Sequence, residues 1–325
     1  MSPRPPDAFC PAYGVETAAT RIRIMGAAHV SRYLRHALVL LVLAMCVVTT
    51  LHLFDWHTVG RALTHLHLNL LLGAGLPVLL AICAIRGWRW LVVLGIQPSR
   101  ANLWQSFCAN GASAGLAALT PFQLGEAIKI KMIPIHHGTA WRLSVSAFFV
   151  ERLLDLATLC SVGLSGLAFH FGYAWATPLA LLLPLLGTLL LSLLCRLVRL
   201  PTKLQPYTEV FRHTPRVAVA ALLTIPLWLL YAVLWWTALH AMNITLDFPQ
   251  VEILLGGVML VVVASMTPGG LGVSELSSRG LLLWLGMSSA DAEIGAIAIR
   301  LLTPLIAAVG LLCLLPLLGQ LRSKK

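Results

Sequence analysis

The sequence predicts an all-α polytopic membrane protein, with about six full spans and two re-entrant helical hairpins arranged as two inverted repeats. Three observations predict this fold class: an apolar composition, long apolar runs, and a helix-breaking motif that occurs twice. Of the 325 residues, 58% are hydrophobic and only 11% are charged. A globular domain carries about 25% charged residues, so most of the surface of this chain must face lipid rather than water.

Six apolar runs are long enough to be membrane spans, since about 20 apolar residues cross the roughly 30 Å of hydrocarbon in a bilayer. The predicted spans are His36–Phe54, Asn69–Ile85 with an extension to Leu94, Leu153–Phe171, Ala174–Cys195, Val217–Met242 and Ile294–Leu318. With the helices of the two hairpins, the prediction amounts to about eight to ten helices in all.

The distribution of basic residues predicts the orientation of the chain. Most of the 23 Lys and Arg residues lie in segments 1–35, 86–102 and 196–216 and in the tail after residue 318, and connections such as 243–252 have none. By the positive-inside rule, both termini are cytoplasmic in a bacterial-type inner membrane. The segments 1–35 and 319–325 are then cytoplasmic. Because the basic residues are spread over short connections, nucleic acid is not predicted as a partner.

Two stretches, 103–138 and 252–290, are predicted to be re-entrant hairpins instead of simple spans. Thr120-Pro121 interrupts the first stretch, and its second arm, Glu126–Ile133, is only eight residues long. At 1.5 Å per residue such an arm cannot cross the bilayer. Thr267-Pro268 interrupts the second stretch. Broken backbone at membrane depth is tolerated only where protein or a water-filled cavity satisfies its polar groups.

The two interruptions resemble each other in sequence. Thr120-Pro121 is followed by Leu124-Gly125-Glu126, and Thr267-Pro268 is followed by Leu271-Gly272 and, two residues late, by Glu275. The matched positions are 147 to 149 residues apart. We therefore predict a duplication into residues 36–171 and 172–318, with the second repeat inverted in the membrane. Inverted repeats with broken helices at the midplane are typical of secondary transporters.

Ionisable side chains within the apolar segments are the candidate substrate-binding residues, because each costs at least about 2.5–3.5 kcal/mol at the bilayer centre. Arg152 and Arg300 occupy equivalent positions in the two repeats. They are predicted to approach one cavity, where guanidinium groups bind phosphate bidentately. The other candidates are Glu126, Lys129, Glu151, Asp155, Glu275 and Arg279, with the backbone amides of Gly269, Gly270 and Gly272 as a second anion site.

A structural role for the same charges is the alternative, and the two roles are compatible. The spacing allows Glu126 to pair with Lys129, Arg152 with Asp155, and Glu275 with Arg279 on their helices. Such pairs would hold the hairpins in place. No cofactor is predicted. No metal site is predicted either, since the histidines at 65, 67, 136 and 137 lie at membrane edges without a constellation of Cys or carboxylate ligands.

Four short runs, taken together, resemble the flippase-like family, the transmembrane region of lysylphosphatidylglycerol synthases and its stand-alone relatives. The runs are Arg86-Gly87-Trp88-Arg89-Trp90, Thr120-Pro121-Phe122-Gln123-Leu124-Gly125-Glu126, Glu151-Arg152-Leu153-Leu154-Asp155 and Thr267-Pro268-Gly269-Gly270-Leu271-Gly272-Val273-Ser274-Glu275. The resemblance covers residues 36–318. It implies movement of lipids between leaflets. Two-part members carry an aminoacyl-transferase domain after this region, and the sequence stops at Lys325, so transferase activity is not expected here.

The sequence therefore predicts a lipid translocase without enzymatic activity, which moves a polar- or phosphate-headgroup lipid or lipid-linked intermediate. Its expected partners are a membrane lipid as substrate and a separate lipid-modifying enzyme or glycosyltransferase. Glu126 and Glu275 are candidates for binding a cationic group or carrying a proton. Two alternatives stay open. One is a membrane-embedded polyprenyl- or lipid-modifying transferase with Glu126, Glu151 or Asp155 as base, and the other is a non-catalytic partner of a lipid-modifying enzyme.

Overall fold

The architecture comes from a computed structural model, which describes residues 44–45, 48–120, 125–126, 128–130, 141–197, 210–265 and 267–322. By its contacts the chain divides into two units, Met1–Met45 and Cys46–Lys325. The described part of the first unit is the helical pair 44–45. The helices labelled here belong to the second unit.

Ten principal helices make up the described part of the second unit, and no strand occurs within it. They are α1 (Trp56–Thr64), α2 (Leu68–Leu94), α3 (Arg100–Leu119), α4 (Trp141–His170), α5 (Thr177–Leu197), α6 (Thr214–Ala241), α7 (Phe248–Ser265), α8 (Val273–Trp284), α9 (Ser289–Arg300) and α10 (Leu302–Arg322). Short 3₁₀ turns occur at Ala174–Ala176 and Pro268–Gly270.

Six segments are long and apolar enough to cross a membrane: α2, α4, α5 with the 3₁₀ turn before it, α6, α7, and α9 together with α10 as far as Gly319. The predicted fold class, a polytopic α-helical membrane protein, is confirmed. Five of the six segments overlap predicted spans. The sixth, α7, is the long arm of the predicted second hairpin. The predicted first span, 36–54, lies mostly outside the described residues.

Local signals set several helix boundaries. The C-terminus of α2 is capped by Gly95 in the left-handed conformation (φ 71°), where glycine carries no steric penalty. The Ser99 side chain accepts a hydrogen bond from the amide of Asn102 and so begins α3. Within α2, a π turn spans Leu71–Gly75 just before Pro77. Proline has no amide hydrogen and clashes with the carbonyl four residues earlier, and the wider turn accommodates it.

At both predicted hairpin breaks the chain turns back on itself. A Cβ atom on Gly125 would lie 2.3 Å from the backbone nitrogen of Ala117, so the chain after the first break runs against the last turn of α3. In the second stretch, α7 and α8 pack against each other. A Cβ atom on Gly257 would lie 2.6 Å from the Leu281 side chain.

Helices of each predicted half pack against helices of the other half. The arm α3 of the first half packs most extensively against α10 of the second, and α7 of the second half packs most extensively against α4 of the first. Each crossing brings two glycines together: Gly115 meets Gly310, and Gly163 meets Gly256. Small residues let helix backbones approach closely in membranes.

Helix positions recur at nearly constant spacing along the chain. The helices α3 and α7 begin at residues 100 and 248, a spacing of 148 residues that equals the spacing between Arg152 and Arg300. This recurrence and the exchanged packing are what a pseudo-twofold relation between the halves would produce. The inverted duplication itself stays a prediction.

Some predicted boundaries were wrong because charged residues interrupt the apolar pattern. The helix α4 begins at Trp141, not at Leu153. The predicted cytoplasmic segment 86–102 contains Arg86 and Arg89, but both lie buried within α2. These two arginines do not belong to the loop charges that determine orientation. Likewise Glu252 and Glu293, which fall in the predicted connections 243–252 and 287–293, are buried in α7 and α9.

Other predictions fall outside the described residues. These are the segment 1–35, residues 121–124 of the first break, most of the second arm of the first hairpin with its following connection (131–140), and residues 323–325 of the tail.

Candidate functional site

The candidate site begins with two arginines on α2 that the sequence analysis did not select. Arg86 and Arg89 lie three residues apart and therefore project from the same side of the helix. Both are buried, and the Arg89 side chain is fully inaccessible to solvent. The apolar run from Leu91 to Leu94 continues after them. That continuation was the available sequence signal that the helix does not end at the arginines.

The long helix α4 supplies the carboxylates that meet Arg89. The Nη1 and Nη2 atoms of Arg89 lie 2.5 Å and 3.2 Å from the two carboxylate oxygens of Asp155, which is the bidentate geometry that guanidinium favours. The Nε atom of Arg89 donates a hydrogen bond to Glu151 at 3.2 Å. From α6, the Thr224 hydroxyl accepts a further bond from Arg89 at 3.0 Å.

The first hairpin adds Lys129, which is fully buried beside Glu151. The Lys129 Nζ atom lies 2.5 Å from the second carboxylate oxygen of Glu151 and 3.9 Å from Glu126. It also lies 4.6 Å from the centre of the Trp90 ring, a cation–π contact. The predicted Glu126–Lys129 pair is thus the longer of two contacts, and Glu151 is the nearer partner of Lys129.

Glu126 connects the first break to the helices α2 and α4. Its carboxylate lies 2.7 Å from Arg86 on α2 and 2.8 Å from Arg152 on α4. Arg152 also donates to Asp155 at 2.9 Å, the pairing that the spacing predicts. Removing one partner of such a buried pair leaves an uncompensated charge, which makes the break depend on this network.

At the second break, the arginine that pairs with Glu275 is Arg300, whereas the sequence predicted Arg279. Arg300 Nε lies 3.2 Å from Glu275, and Arg300 Nη1 donates to the carbonyl oxygen of Gly269 at 2.7 Å. Arg279 instead pairs with Glu293 on α9 at 3.2 Å. The predicted Glu275–Arg279 pair does not form, because α9 places Arg300 near Glu275 and Glu293 near Arg279.

The three glycines of the second break differ in their surroundings. Gly269, Gly270 and Gly272 all have positive φ, between 55° and 75°. The Gly270 amide donates to the carbonyl oxygen of Thr267 at 3.2 Å and is therefore occupied. Among the described residues, Gly269 is the glycine of this group that lines the cavity between the hairpins. The Gly270 amide is thus not free for an anion, and the anion site at the Gly269 and Gly272 amides stays a prediction.

A cavity of about 220 Å³ lies between the two breaks. Its wall includes Arg152 and Arg300, which the sequence predicts to meet at one cavity, together with Arg86, Glu126 and Asp155. The rest of the wall is mostly apolar and comes chiefly from α3, α6, α7 and α10. Its members include Ala114, Ala117, Leu227, Trp228, Tyr231, Leu255, Val258, Met259, Val262, Leu302 and Ile306.

The charged residues fall into two groups by exposure. Arg89, Lys129 and Glu151 have fully inaccessible side chains, so they lie behind the cavity wall and contact other protein groups. Arg152 and Arg300 are 32% and 22% exposed. The arrangement therefore separates an inner group suited to holding helices together from two arginines that remain accessible to a ligand.

Metal-binding geometry is missing from the described part of the chain, where no group of three or more His, Cys, Asp or Glu side chains could hold an ion. The cysteines at 83, 108, 160, 195 and 313 are free thiols.

The family model of the lysylphosphatidylglycerol synthase transmembrane region matches residues 36–310, which is most of the chain. The chain belongs to this family. As a member of the lysylphosphatidylglycerol synthase transmembrane family, it is a multi-pass membrane protein related to lipid-modifying and flippase-like proteins. The match concerns the membrane region of these synthases. Comparison with curated proteins and with solved structures gives no match.

Proposed function

We propose that this protein is a lipid translocase, which moves a polar- or phosphate-headgroup lipid or lipid-linked intermediate between the leaflets of a bacterial-type inner membrane. One observation carries the proposal: Arg152 and Arg300, one from each predicted repeat, line the same cavity between the two helix breaks. Membership in the lysylphosphatidylglycerol synthase transmembrane family supports a lipid as the substrate.

The surroundings of the two arginines favour a ligand that is polar at one end and apolar at the other. Arg152 and Arg300 are both partly exposed, and guanidinium groups bind phosphate through two parallel hydrogen bonds. Apolar side chains such as Leu255 and Met259 form much of the remaining wall. A headgroup at the arginines with its acyl chains against the apolar wall or the surrounding lipid satisfies both parts.

The two breaks give the proposed movement a structural basis. Each arginine is attached to the hairpin of its own half: Arg152 to Glu126 and Arg300 to Glu275. If the halves are inverted, a shift of one hairpin opens the cavity toward one side of the membrane and a shift of the other opens it toward the opposite side. Transporters built from inverted repeats alternate their access in this way.

The proposed orientation has both termini in the cytoplasm. It rests on the basic residues of segments 1–35 and 196–216 and of the tail, after Arg86 and Arg89 are removed from the count. Arg100, the third arginine of the predicted cytoplasmic segment 86–102, is exposed and still counts toward this orientation.

An embedded transferase is a less well supported function. Its candidate bases were Glu126, Glu151 and Asp155. Glu151 is fully buried between Arg89 and Lys129, and Glu126 and Asp155 each contact two arginines. A general base must lie within hydrogen-bond reach of the proton that it abstracts, and the oxygens of these carboxylates are already in contact with protein cations.

Leaflet exchange of labelled lipids tests the proposal. The purified protein is reconstituted in liposomes that contain a small panel of fluorescent lipids, and a membrane-impermeant quencher reports the fraction in the outer leaflet over time. Exchange of one lipid class by the native protein, and its loss in the Arg152→Ala/Arg300→Ala double variant, is the expected result. Arg142→Ala, an exposed arginine on the same helix α4, is the matched control.

Two results would contradict the proposal. If the folded native protein exchanges no lipid, translocation by this chain alone is wrong, and a role as the partner of another lipid enzyme gains support. If the double variant keeps its full rate while remaining folded, the two arginines do not form the site.

A further inference from the structure

The charges that line the cavity are unequal in number. Among the described residues, three arginines, Arg86, Arg152 and Arg300, face it, against two carboxylates, Glu126 and Asp155. The charged groups behind this wall are equal in number: two positive side chains, Arg89 and Lys129, and two negative ones, Glu151 and Glu275. The cavity therefore has one formal positive charge in excess.

Both carboxylates of the wall are already occupied. Glu126 lies 2.7 Å from Arg86 and 2.8 Å from Arg152. Asp155 is held by Arg89 and Arg152, and it also accepts a hydrogen bond from the Trp228 indole nitrogen at 3.3 Å. Glu275, next to the cavity, is paired with Arg300 and accepts a bond from the Ser274 hydroxyl at 2.8 Å.

The carboxylates near the cavity are also less accessible than its two outer arginines. The carboxylate side chains of Glu126, Asp155 and Glu275 are 7%, 13% and 8% exposed, well below the values for Arg152 and Arg300. A ligand entering the cavity thus meets guanidinium groups before it meets a carboxylate. A cationic group would have to displace an arginine from its carboxylate and leave that arginine unpaired in a poorly hydrated space, which is unfavourable.

We propose that the headgroup site accepts a lipid phosphate without a positive charge and excludes a cationic aminoacyl phospholipid, although the family is named after such a lipid. The inference rests on the proposed translocase function and specifies its substrate class. The excess charge matches a single phosphodiester, and the Arg152 and Arg300 guanidinium groups are its ligands. Hydroxyl groups on the wall, such as those of Tyr231 and Thr303, can exchange hydrogen bonds with a glycerol or sugar headgroup.

Equilibrium binding tests this specificity separately from transport. The full chain in detergent is titrated with short-chain lipids of identical acyl length: phosphatidylglycerol, phosphatidic acid, phosphatidylcholine and lysylphosphatidylglycerol. We expect the first two to bind at least about tenfold more tightly than the last two. Inorganic phosphate is the control for a site that recognises the anion alone, and we expect it to compete only weakly because it cannot occupy the apolar wall.

A single substitution should shift this preference. Arg300→Gln removes the partner of Glu275 and leaves that carboxylate beside the cavity, so the variant should bind phosphatidylglycerol about tenfold more weakly and lysylphosphatidylglycerol more tightly than the native protein does. Arg142→Gln, with the same change of charge on an exposed arginine, should bind all four lipids as the native protein does.

The outcomes separate the two proposals. Binding of lysylphosphatidylglycerol as tight as that of phosphatidylglycerol, or inorganic phosphate binding as tightly as either, overturns the inference. Leaflet exchange that is equal for all four lipids also overturns it while the translocase function stands. Selective binding of the anionic lipids without any leaflet exchange supports the inference about the site and contradicts translocation.

Discussion

Arg300 Nε lies 3.2 Å from the carboxylate of Glu275, and this pair corresponds to the contact between Arg152 and Glu126 in the other half of the sequence, at 2.8 Å. In both pairs the arginine comes from the helix after the hairpin and the glutamate from the second arm of the hairpin. Both arginines face one cavity. The two pairs differ in their surroundings, since Glu126 has a second arginine, Arg86, whereas Arg300 is the one arginine on Glu275 among the described residues.

The contact at the second break should be visible as coupling between its two residues. In a double-mutant cycle, Arg300→Gln and Glu275→Gln should each lower the thermal stability of the purified protein, and the double variant should lose less than the sum because no unpaired charge remains. The expected coupling free energy is about 0.5–3 kcal/mol. Thermal unfolding in detergent, followed by tryptophan fluorescence, measures it. Additive losses would show that the two side chains do not interact.

Glu151→Gln should be strongly destabilising. The substitution leaves Lys129 without its near partner and removes one of the two carboxylates on Arg89. Breaking a buried ion pair costs about 3–5 kcal/mol, so a large drop in the unfolding midpoint is expected.

The matched control for Glu151→Gln is Glu252→Gln. Glu252 is also a buried glutamate, but its partner is the Ser165 hydroxyl, at 2.6 Å. A glutamine oxygen accepts that bond equally well, so the change should be small. Equal effects of the two substitutions would refute the view that the ion pairs hold the first hairpin.

The crossing of α3 and α10 should not tolerate a methyl group. A Cβ atom on Gly115 would lie 2.7 Å from the Cα atom of Gly310, and backbone cannot move aside as a flexible side chain does. Gly115→Ala should therefore destabilise the protein by about 1–3 kcal/mol. Gly187→Ala, on α5 with no atom within 4 Å of the new methyl group, should be neutral or stabilising by about 0.5–1 kcal/mol. Unfolding midpoints of both variants would decide this, and a neutral Gly115→Ala would contradict the close crossing.

Single-cysteine labelling in intact cells should locate the two connections on opposite sides of the membrane. Gln97, between α2 and α3, and Ala290, at the start of α9, are both exposed. In a background without the seven native cysteines, an impermeant maleimide should label Ala290→Cys directly and Gln97→Cys only after the membrane is permeabilised. Labelling of both from the same side would exclude the predicted topology, and with it the inverted arrangement of the halves.

The sequence alone was sufficient for the features that depend on local pattern. The long apolar runs predicted a polytopic helical membrane protein, and the structure and the family match agree. Thr120-Pro121 and Thr267-Pro268-Gly269-Gly270 marked the places where helices stop, because proline and glycine act on the backbone of their own segment. The spacing of Arg152 and Arg300 from these breaks was enough to predict that both approach one cavity, which they line.

Only the tertiary structure decided which charges pair between separate helices. Arg86 and Arg89 were counted as loop residues, since an arginine at the end of an apolar run has the same sequence signature whether it faces water or a buried carboxylate. Their partners Glu126 and Asp155 lie 40 and 66 residues further along the chain. Glu275 has Arg279 one helical turn away and nevertheless pairs with Arg300. An ion pair depends on distance in space, and helix packing, which no local pattern encodes, sets that distance.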